Sequence, residues 1–183
     1  MNKVAALRAG IKYVKDLYGD EPLIGAEIGV YKGDHAQSIL NNLNIKCLYL
    51  IDIWDDYRKR ESETWRNGDG EKVSGDEIYK EVIEKYAKDH RVKLLRYKSD
   101  CACLKLKKEN ITLDFCYIDG SHERRQVVLD LDWAHNIVKA GGVIAGHDYN
   151  DGRVCSAVTA FADYNKLKVK TDGTDYWMLN ANF

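Results

Sequence analysis

The sequence lacks an excess of charge of either sign. Its 183 residues include 28 basic and 29 acidic side chains, so the formal net charge is -1 at pH 7. A near-neutral chain is a poor electrostatic match for the nucleic-acid backbone or for an anionic membrane. We therefore expect no nucleic-acid partner and no membrane partner. The length fits a single domain over residues 1–183 with a core of ordinary size.

Long apolar runs and paired cysteines are also missing. No stretch approaches the ~18 consecutive apolar residues of a membrane span, and the mean hydropathy is -0.48. The first residues contain no long apolar segment either, so we expect no signal peptide. The five cysteines form no C-x-x-C pair, and this odd, unpaired set is typical of reduced thiols. Together these absences predict a cytoplasmic protein.

What the sequence does contain is an alternation of apolar segments with helical patterns. Helical periodicity first occurs over residues 3–18, and Ser74 and Glu77 form a capping-box pattern before another helix. Gly141 and Gly142 are interpreted as the end of a later helix. The alternation predicts an α/β fold, a doubly wound, mainly parallel sheet with helices on both faces. The predicted strands cover residues 23–30, 47–53, 92–97, 113–118, 143–146, 168–171 and 176–180.

One segment, residues 55–74, breaks this alternation. It is rich in charge, glycine and asparagine and shows no clear periodicity. Loops of this length in compact domains often have a function, so we interpret the segment as a lid.

Acidic residues occur where the first five predicted strands end. Ligands of doubly wound sheets bind outside the carboxyl ends of the strands, so these carboxylates are expected to share one edge. A single aspartate is more often a helix cap or a solvated loop residue, whereas five at one edge indicate a site. The residues are Glu27, Asp52, Asp100, Asp119 and Asp148.

The first strand leads into Glu27-Ile-Gly29-Val-Tyr31-Lys-Gly33, a glycine turn before a helix. This is not the G-x-G-x-x-G fingerprint of dinucleotide-binding proteins, and the glutamate would repel a phosphate but suit a cation such as an amino group. Asp52 follows Gly33 by 52 - 33 = 19 residues, the spacing at which an acidic residue binds a ribose diol. Trp54 is available to stack on a ring.

These motifs resemble the class I S-adenosylmethionine-dependent methyltransferases. Tyr117-Ile-Asp119-Gly-Ser-His122 and the later Gly141-Gly-Val-Ile-Ala-Gly-His147-Asp148-Tyr149 are similar to one branch, the methyltransferase family 24 group, which is related to macrocin-type and catechol O-methyltransferases. The resemblance covers about Leu23 to Leu179. It implies a Rossmann-like seven-stranded sheet with an antiparallel last strand, and S-adenosyl-L-methionine as cofactor.

The resemblance also implies contacts with that cofactor. The first motif would meet its methionine end, Asp52 its ribose hydroxyls, the segment at Ser99 its adenine ring, and Asp119 its sulfonium and amine. The cofactor-binding residues implied in this way are Glu27, Gly29, Tyr31, Gly33, Asp52, Trp54, Ser99, Asp100, Asp119 and His122.

An oxygen nucleophile must lose its proton during methyl transfer, to a general base or through a metal. His122 is the leading candidate for the base, with helix capping or lining of the cofactor pocket as the alternative. His147 is the second candidate, with lining of the pocket wall as its alternative. In metal-dependent relatives carboxylates after the fourth and fifth strands bind Mg²⁺. Asp119 and Asp148 fit that pattern, but His147 replaces an acidic ligand, which weakens the case for Mg²⁺.

The function predicted is methyl transfer to a small-molecule acceptor, with oxygen as the expected nucleophile. Two alternatives stay open at this point: an NAD(P)-dependent oxidoreductase on a similar sheet, and a non-catalytic subunit that binds S-adenosylmethionine. A homo-oligomer is also compatible with the sequence.

Overall fold

The computed structural model describes residues 7–55 and 73–181. The strands within these ranges are β1 (Leu23–Ile28), β2 (Ile45–Asp52), β3 (Val92–Arg96), β4 (Leu113–Ile118), β5 (Val138–Gly146), β6 (Lys170–Asp172) and β7 (Asp175–Leu179). The helices are α1 (Ala9–Tyr18), α2 (Asp34–Asn42), α3 (Gly75–Tyr86), α4 (Ser99–Lys108), α5 (Arg124–Ile137) and α6 (Gly152–Asn165).

The strands form one seven-stranded sheet in the order β3-β2-β1-β4-β5-β7-β6. β1 to β5 pair in parallel, and β7 runs antiparallel to both of its neighbours, β5 and β6. The direction of strand order changes between β1 and β4, which lie side by side at the centre. This topology confirms the predicted doubly wound sheet and its antiparallel last strand, and it places the binding edge at the carboxyl ends of β1 and β4.

Hydrophobic residues pack on both faces of the sheet. Neighbouring residues of β4 point to opposite faces, so Tyr117 belongs to the cluster that includes Ile11 of α1 and Ile78 of α3, while Ile118 belongs to the cluster with Leu131 of α5. Burial on both faces explains why the central predicted strands, such as residues 47–53 and 143–146, are almost continuously apolar. No helix in the described ranges combines the length and apolar composition that crossing a membrane requires.

Three helix boundaries differ from those predicted. α5 ends at Ile137, and Gly141 and Gly142 lie inside β5 because the preceding residues already pair with β4. α4 begins at Ser99, so Ser99 and the following aspartate form its first turn rather than the end of β3. α1 begins at Ala9, whereas its predicted start at residue 3 lies outside the described residues.

The predicted capping box before α3 is confirmed. The Ser74 side chain accepts a hydrogen bond from the backbone of Glu77, and the Glu77 carboxylate accepts one from the Ser74 backbone at 2.8 Å. Most of the lid predicted over residues 55–74 falls on residues 56–72, which lie outside the described ranges.

Candidate functional site

The loop after β1 approaches the loop after β4 very closely. Gly29 has φ +84°, and a Cβ at this position would lie 2.1 Å from the carbonyl oxygen of Asp119. Only glycine fits such a contact and such a backbone angle. Gly33 has φ +74°, and its carbonyl accepts a hydrogen bond from the Tyr86 hydroxyl at 2.5 Å. The two glycines therefore fix the path of the loop between β1 and α2.

Asp52, the last residue of β2, holds the same loop from the other side. Its Oδ2 accepts hydrogen bonds from the backbone amides of Val30 at 2.8 Å and Tyr31 at 3.0 Å. Its Oδ1 accepts one from the amide of Trp54 at 3.0 Å. Carboxylate oxygens have further lone pairs, so a ribose diol could still donate to this group.

Trp54 does not offer a ring face to a ligand, which corrects the expectation that it stacks on one. Its side chain is only 1% exposed. The indole Nε1 donates to the carbonyl of Tyr31 at 2.9 Å, and the ring packs against Tyr79 with centroids 4.8 Å apart. Trp54 therefore supports the glycine loop, the segment of residues 29–33 between β1 and α2.

Glu27 is a buried carboxyl group near the end of β1. It is 1% exposed, and its Oε1 lies 3.1 Å from Nδ1 of His35 on α2. Among the described residues no hydrogen-bond partner reaches its Oε2. Burial raises the pKa of Glu27, and the neighbouring His35 opposes this rise. His35 was not among the predicted site residues, although its position eight residues after Glu27, in the first turn of the next helix, was available as a signal.

Asp119 follows β4 and lies between Arg8 and His147. Its Oδ2 is 3.3 Å from Nη2 of Arg8, and its Oδ1 is 3.8 Å from Nδ1 of His147. Burial raises the pKa of Asp119, while Arg8 and His147 lower it. Arg8 was also missed by the sequence analysis, because no local pattern links a residue before α1 to the end of β4.

Asp148 lies between the two predicted histidines and contacts a ring nitrogen of each. Nδ1 of His147 lies 3.0 Å from Asp148 Oδ1, and Nε2 of His122 lies 2.8 Å from Asp148 Oδ2. The second nitrogen of His122 is 3.5 Å from Asp151, and that of His147 is 2.6 Å from the Thr174 hydroxyl. The structure thus brings His122, His147 and Asp148 together, next to Asp119.

Ser99 and Asp100, which were predicted to meet an adenine ring, lie in the first turn of α4 and differ in their exposure. Ser99 is buried and donates to Asp130 of α5 at 2.5 Å, and Gln126 donates to the same oxygen at 2.8 Å. Asp100 is exposed and accepts a hydrogen bond from the amide of Cys101 at 2.7 Å. The Ser99 hydroxyl is therefore engaged within the protein, while the Asp100 carboxylate stays open to solvent.

One cluster has the composition of a metal site. Asp119, His147 and Asp148 each offer a ligand atom, and these atoms lie within 4.8 Å of one another. Mg²⁺ prefers oxygen ligands in an octahedral arrangement, whereas imidazole suits transition metals. The guanidinium of Arg8 also places a positive charge beside Asp119. This donor set therefore does not fit Mg²⁺.

The topology, with β7 inserted antiparallel between β5 and β6, and the acidic edge at β1, β2 and β4 are those of the class I S-adenosylmethionine-dependent methyltransferases. Residues 26–149, well over half of the chain, match a family model described as a methyltransferase domain. The chain therefore belongs to this methyltransferase family. No curated protein sequence matches it.

Solved structures agree on the fold. The O-methyltransferase NovP is 16% identical with a TM-score of 0.66, over 94% of this chain and 79% of that one. An O-methyltransferase from Bacillus cereus in complex with SAH is 14% identical with a TM-score of 0.64, over 97% and 86%. An rRNA methylase from Streptococcus thermophilus is 9% identical with a TM-score of 0.64, over 100% and 99%. At such identities the likeness establishes the shared fold only.

Proposed function

We propose that this methyltransferase transfers a methyl group from S-adenosylmethionine to an oxygen atom of a small-molecule acceptor. The observation that carries the proposal is that two carboxylates lie at the switch point between β1 and β4. Glu27 is buried there and Asp119 is half-buried. Such a site repels a pyrophosphate and attracts a cationic ligand. Two proteins of similar structure, NovP and the Bacillus cereus protein, are O-methyltransferases.

The residues present fit this cofactor. Asp52 would accept hydrogen bonds from the ribose hydroxyls, Asp100 lies exposed where the adenine is expected, and Asp119 would face the cationic methionine end, with the buried Glu27 on the neighbouring strand β1. When bound, the cofactor supplies an electrophilic methyl group. Because the chemistry is an in-line displacement, the protein contributes mainly by positioning, which can supply ~7–11 kcal/mol of the barrier.

His122 is proposed as the group that removes the proton from the acceptor hydroxyl. In the tautomer with a proton on Nε2, His122 donates to Asp148, and Nδ1, which lies 3.5 Å from Asp151, carries the lone pair that accepts a proton. The carboxylates of Asp148 and Asp151 then stabilise the imidazolium that forms. The His122 side chain is 40% exposed, which lets an acceptor reach it, against 24% for His147. His147 bonds at both nitrogens and is proposed to orient Asp148.

Calorimetric titration with S-adenosylhomocysteine and with NAD tests the cofactor assignment. We expect S-adenosylhomocysteine to bind and NAD to give no heat of binding, because the glycine loop lacks the dinucleotide fingerprint. Binding of NAD alone would favour the oxidoreductase alternative. Binding of S-adenosylhomocysteine without turnover on any acceptor would favour the non-catalytic alternative.

Substitution of His122 tests the proposed base. A positioned base supplies about 10²–10⁴-fold in rate, so His122→Ala is expected to lower turnover by that factor while leaving affinity for S-adenosylhomocysteine nearly unchanged. His90→Ala removes an exposed histidine beyond α3 and serves as the matched control. Turnover of His122→Ala equal to that of the control would refute the assignment.

A further inference from the structure

Arg8 reaches the carboxyl edge of the sheet because α1 docks closely against it. The backbone amide of Gly10 donates to Oδ2 of Asp175 at 3.3 Å. A Cβ on Gly10 would lie 2.8 Å from the Cβ of Ala145 in β5, so a side chain there would push the helix away. Arg8 is the extended residue directly before α1. The docking of α1 therefore determines where the guanidinium of Arg8 lies.

The guanidinium of Arg8 lies among carboxylates. Nη2 is 3.3 Å from Asp119 and Nη1 is 3.9 Å from Asp175, and the group lies 5.8 Å from the centroid of the Tyr117 ring. The Tyr117 hydroxyl donates to the same Asp175 carboxylate at 3.1 Å. The Arg8 side chain is 28% exposed, so part of it is accessible to solvent.

The proposed cofactor presents three charges to this edge. Its sulfonium and α-amino groups are cationic and match Glu27 and Asp119, but its α-carboxylate would be repelled by them. The α-amino and α-carboxylate groups share one carbon atom, so the residues that bind them must be neighbours. Asp119 and Arg8 are such neighbours, with complementary charges. A guanidinium binds a carboxylate through two parallel hydrogen bonds, a geometry that an ammonium lacks.

We propose that Arg8 binds the α-carboxylate of the methionine moiety and that, when the cofactor enters, the Arg8–Asp119 ion pair opens so that Asp119 accepts from the α-amino group. This inference rests on the proposed function. It assigns to the segment before β1 a direct part in cofactor recognition. It also explains why a buried acidic edge contains an arginine: the arginine neutralises Asp119 in the free protein and the carboxylate in the complex.

The test compares two ligands across variants of the full chain by calorimetry. The ligands are S-adenosylhomocysteine and its decarboxylated analogue, which keeps the amine and lacks the carboxylate. Arg8→Ala is expected to weaken S-adenosylhomocysteine binding by about 10–100-fold, the effect of a lost charge-assisted pair. Binding of the decarboxylated analogue is expected to stay the same or tighten, because Asp119 loses its competing cation. Arg8→Lys should recover only part of the preference.

Lys12→Ala is the matched control, since Lys12 is an exposed cation on the helix that follows Arg8, and it should leave both affinities unchanged. Binding of 5′-methylthioadenosine, which lacks both charged groups, reports whether each variant keeps a folded adenosine pocket. Equal weakening of both ligands by Arg8→Ala, or an unchanged preference for S-adenosylhomocysteine, would overturn the assignment while the proposed function stands. Failure of the unmodified protein to bind either ligand would overturn the proposed function and the assignment with it.

Discussion

The buried contact between α4 and α5 predicts a measurable dependence of stability on pH. Asp130 is 2% exposed, and burial raises its pKa from the ordinary value of 3.8 to about 6, although hydrogen bonds from Ser99 and Gln126 oppose the rise. The folded state therefore holds the Asp130 proton to a higher pH than the unfolded state. As pH rises from about 4 to about 6, the contribution of Asp130 to the free energy of unfolding is therefore lost. At about 1.4 kcal/mol per pH unit, the difference in pKa corresponds to about 3 kcal/mol.

Asp130→Asn tests this reasoning because asparagine resembles the protonated carboxyl in shape and can accept the same hydrogen bonds. Urea unfolding at several pH values should give both proteins similar stability near pH 4, and the variant should be more stable by up to about 3 kcal/mol near pH 7. Asp132→Asn removes an exposed carboxylate from the same helix and should reproduce the pH profile of the unmodified protein. Parallel profiles for Asp130→Asn and the unmodified protein would refute the account of this contact.

Three further predictions concern the site, and one of them includes a comparison substitution in β5. Asp52→Ala removes the acceptor for three backbone amides of the glycine loop, so we expect about 10–100-fold weaker binding of S-adenosylhomocysteine by calorimetry. Gly29→Ala should lower the free energy of unfolding by about 2–6 kcal/mol, from steric conflict and positive φ together. Gly141→Ala, with φ +75° but nothing within 4 Å, should cost only about 1–2 kcal/mol. Because His147 makes its cluster a poor magnesium site, EDTA should leave methyl transfer unchanged, and loss restored by Mg²⁺ would contradict this.

The fold could be predicted well because secondary structure is encoded in local patterns of the sequence. Apolar segments, capping residues and the alternation of periods are short-range patterns, and the order of elements then limits the topology. The pair Gly141 and Gly142 was misinterpreted because two glycines resemble a helix end. Gly142 is required instead by the close approach of the Asp114 carbonyl, which lies 2.7 Å from where a Cβ would be.

The site was predicted only in part, since strand ends can be placed from the sequence and side-chain partners cannot. Asp119 and Asp148 lie at the predicted edge, and His122 and His147 meet through Asp148. Trp54 is buried under the loop because its indole finds a partner in a backbone carbonyl, which no spacing rule indicates. The long-range ion pair of Arg8 depends on how α1 docks, and that docking is a property of the assembled core.

Methyl transfer to an oxygen atom of a small molecule is tested most simply by transfer of label from methyl-tritiated S-adenosylmethionine to a panel of hydroxyl-bearing small molecules. We expect an O-methylated product whose formation requires His122, and we expect no incorporation of label into RNA under the same conditions. Incorporation into RNA alone, or no transfer to any acceptor by a protein that binds the cofactor, would contradict the proposed function.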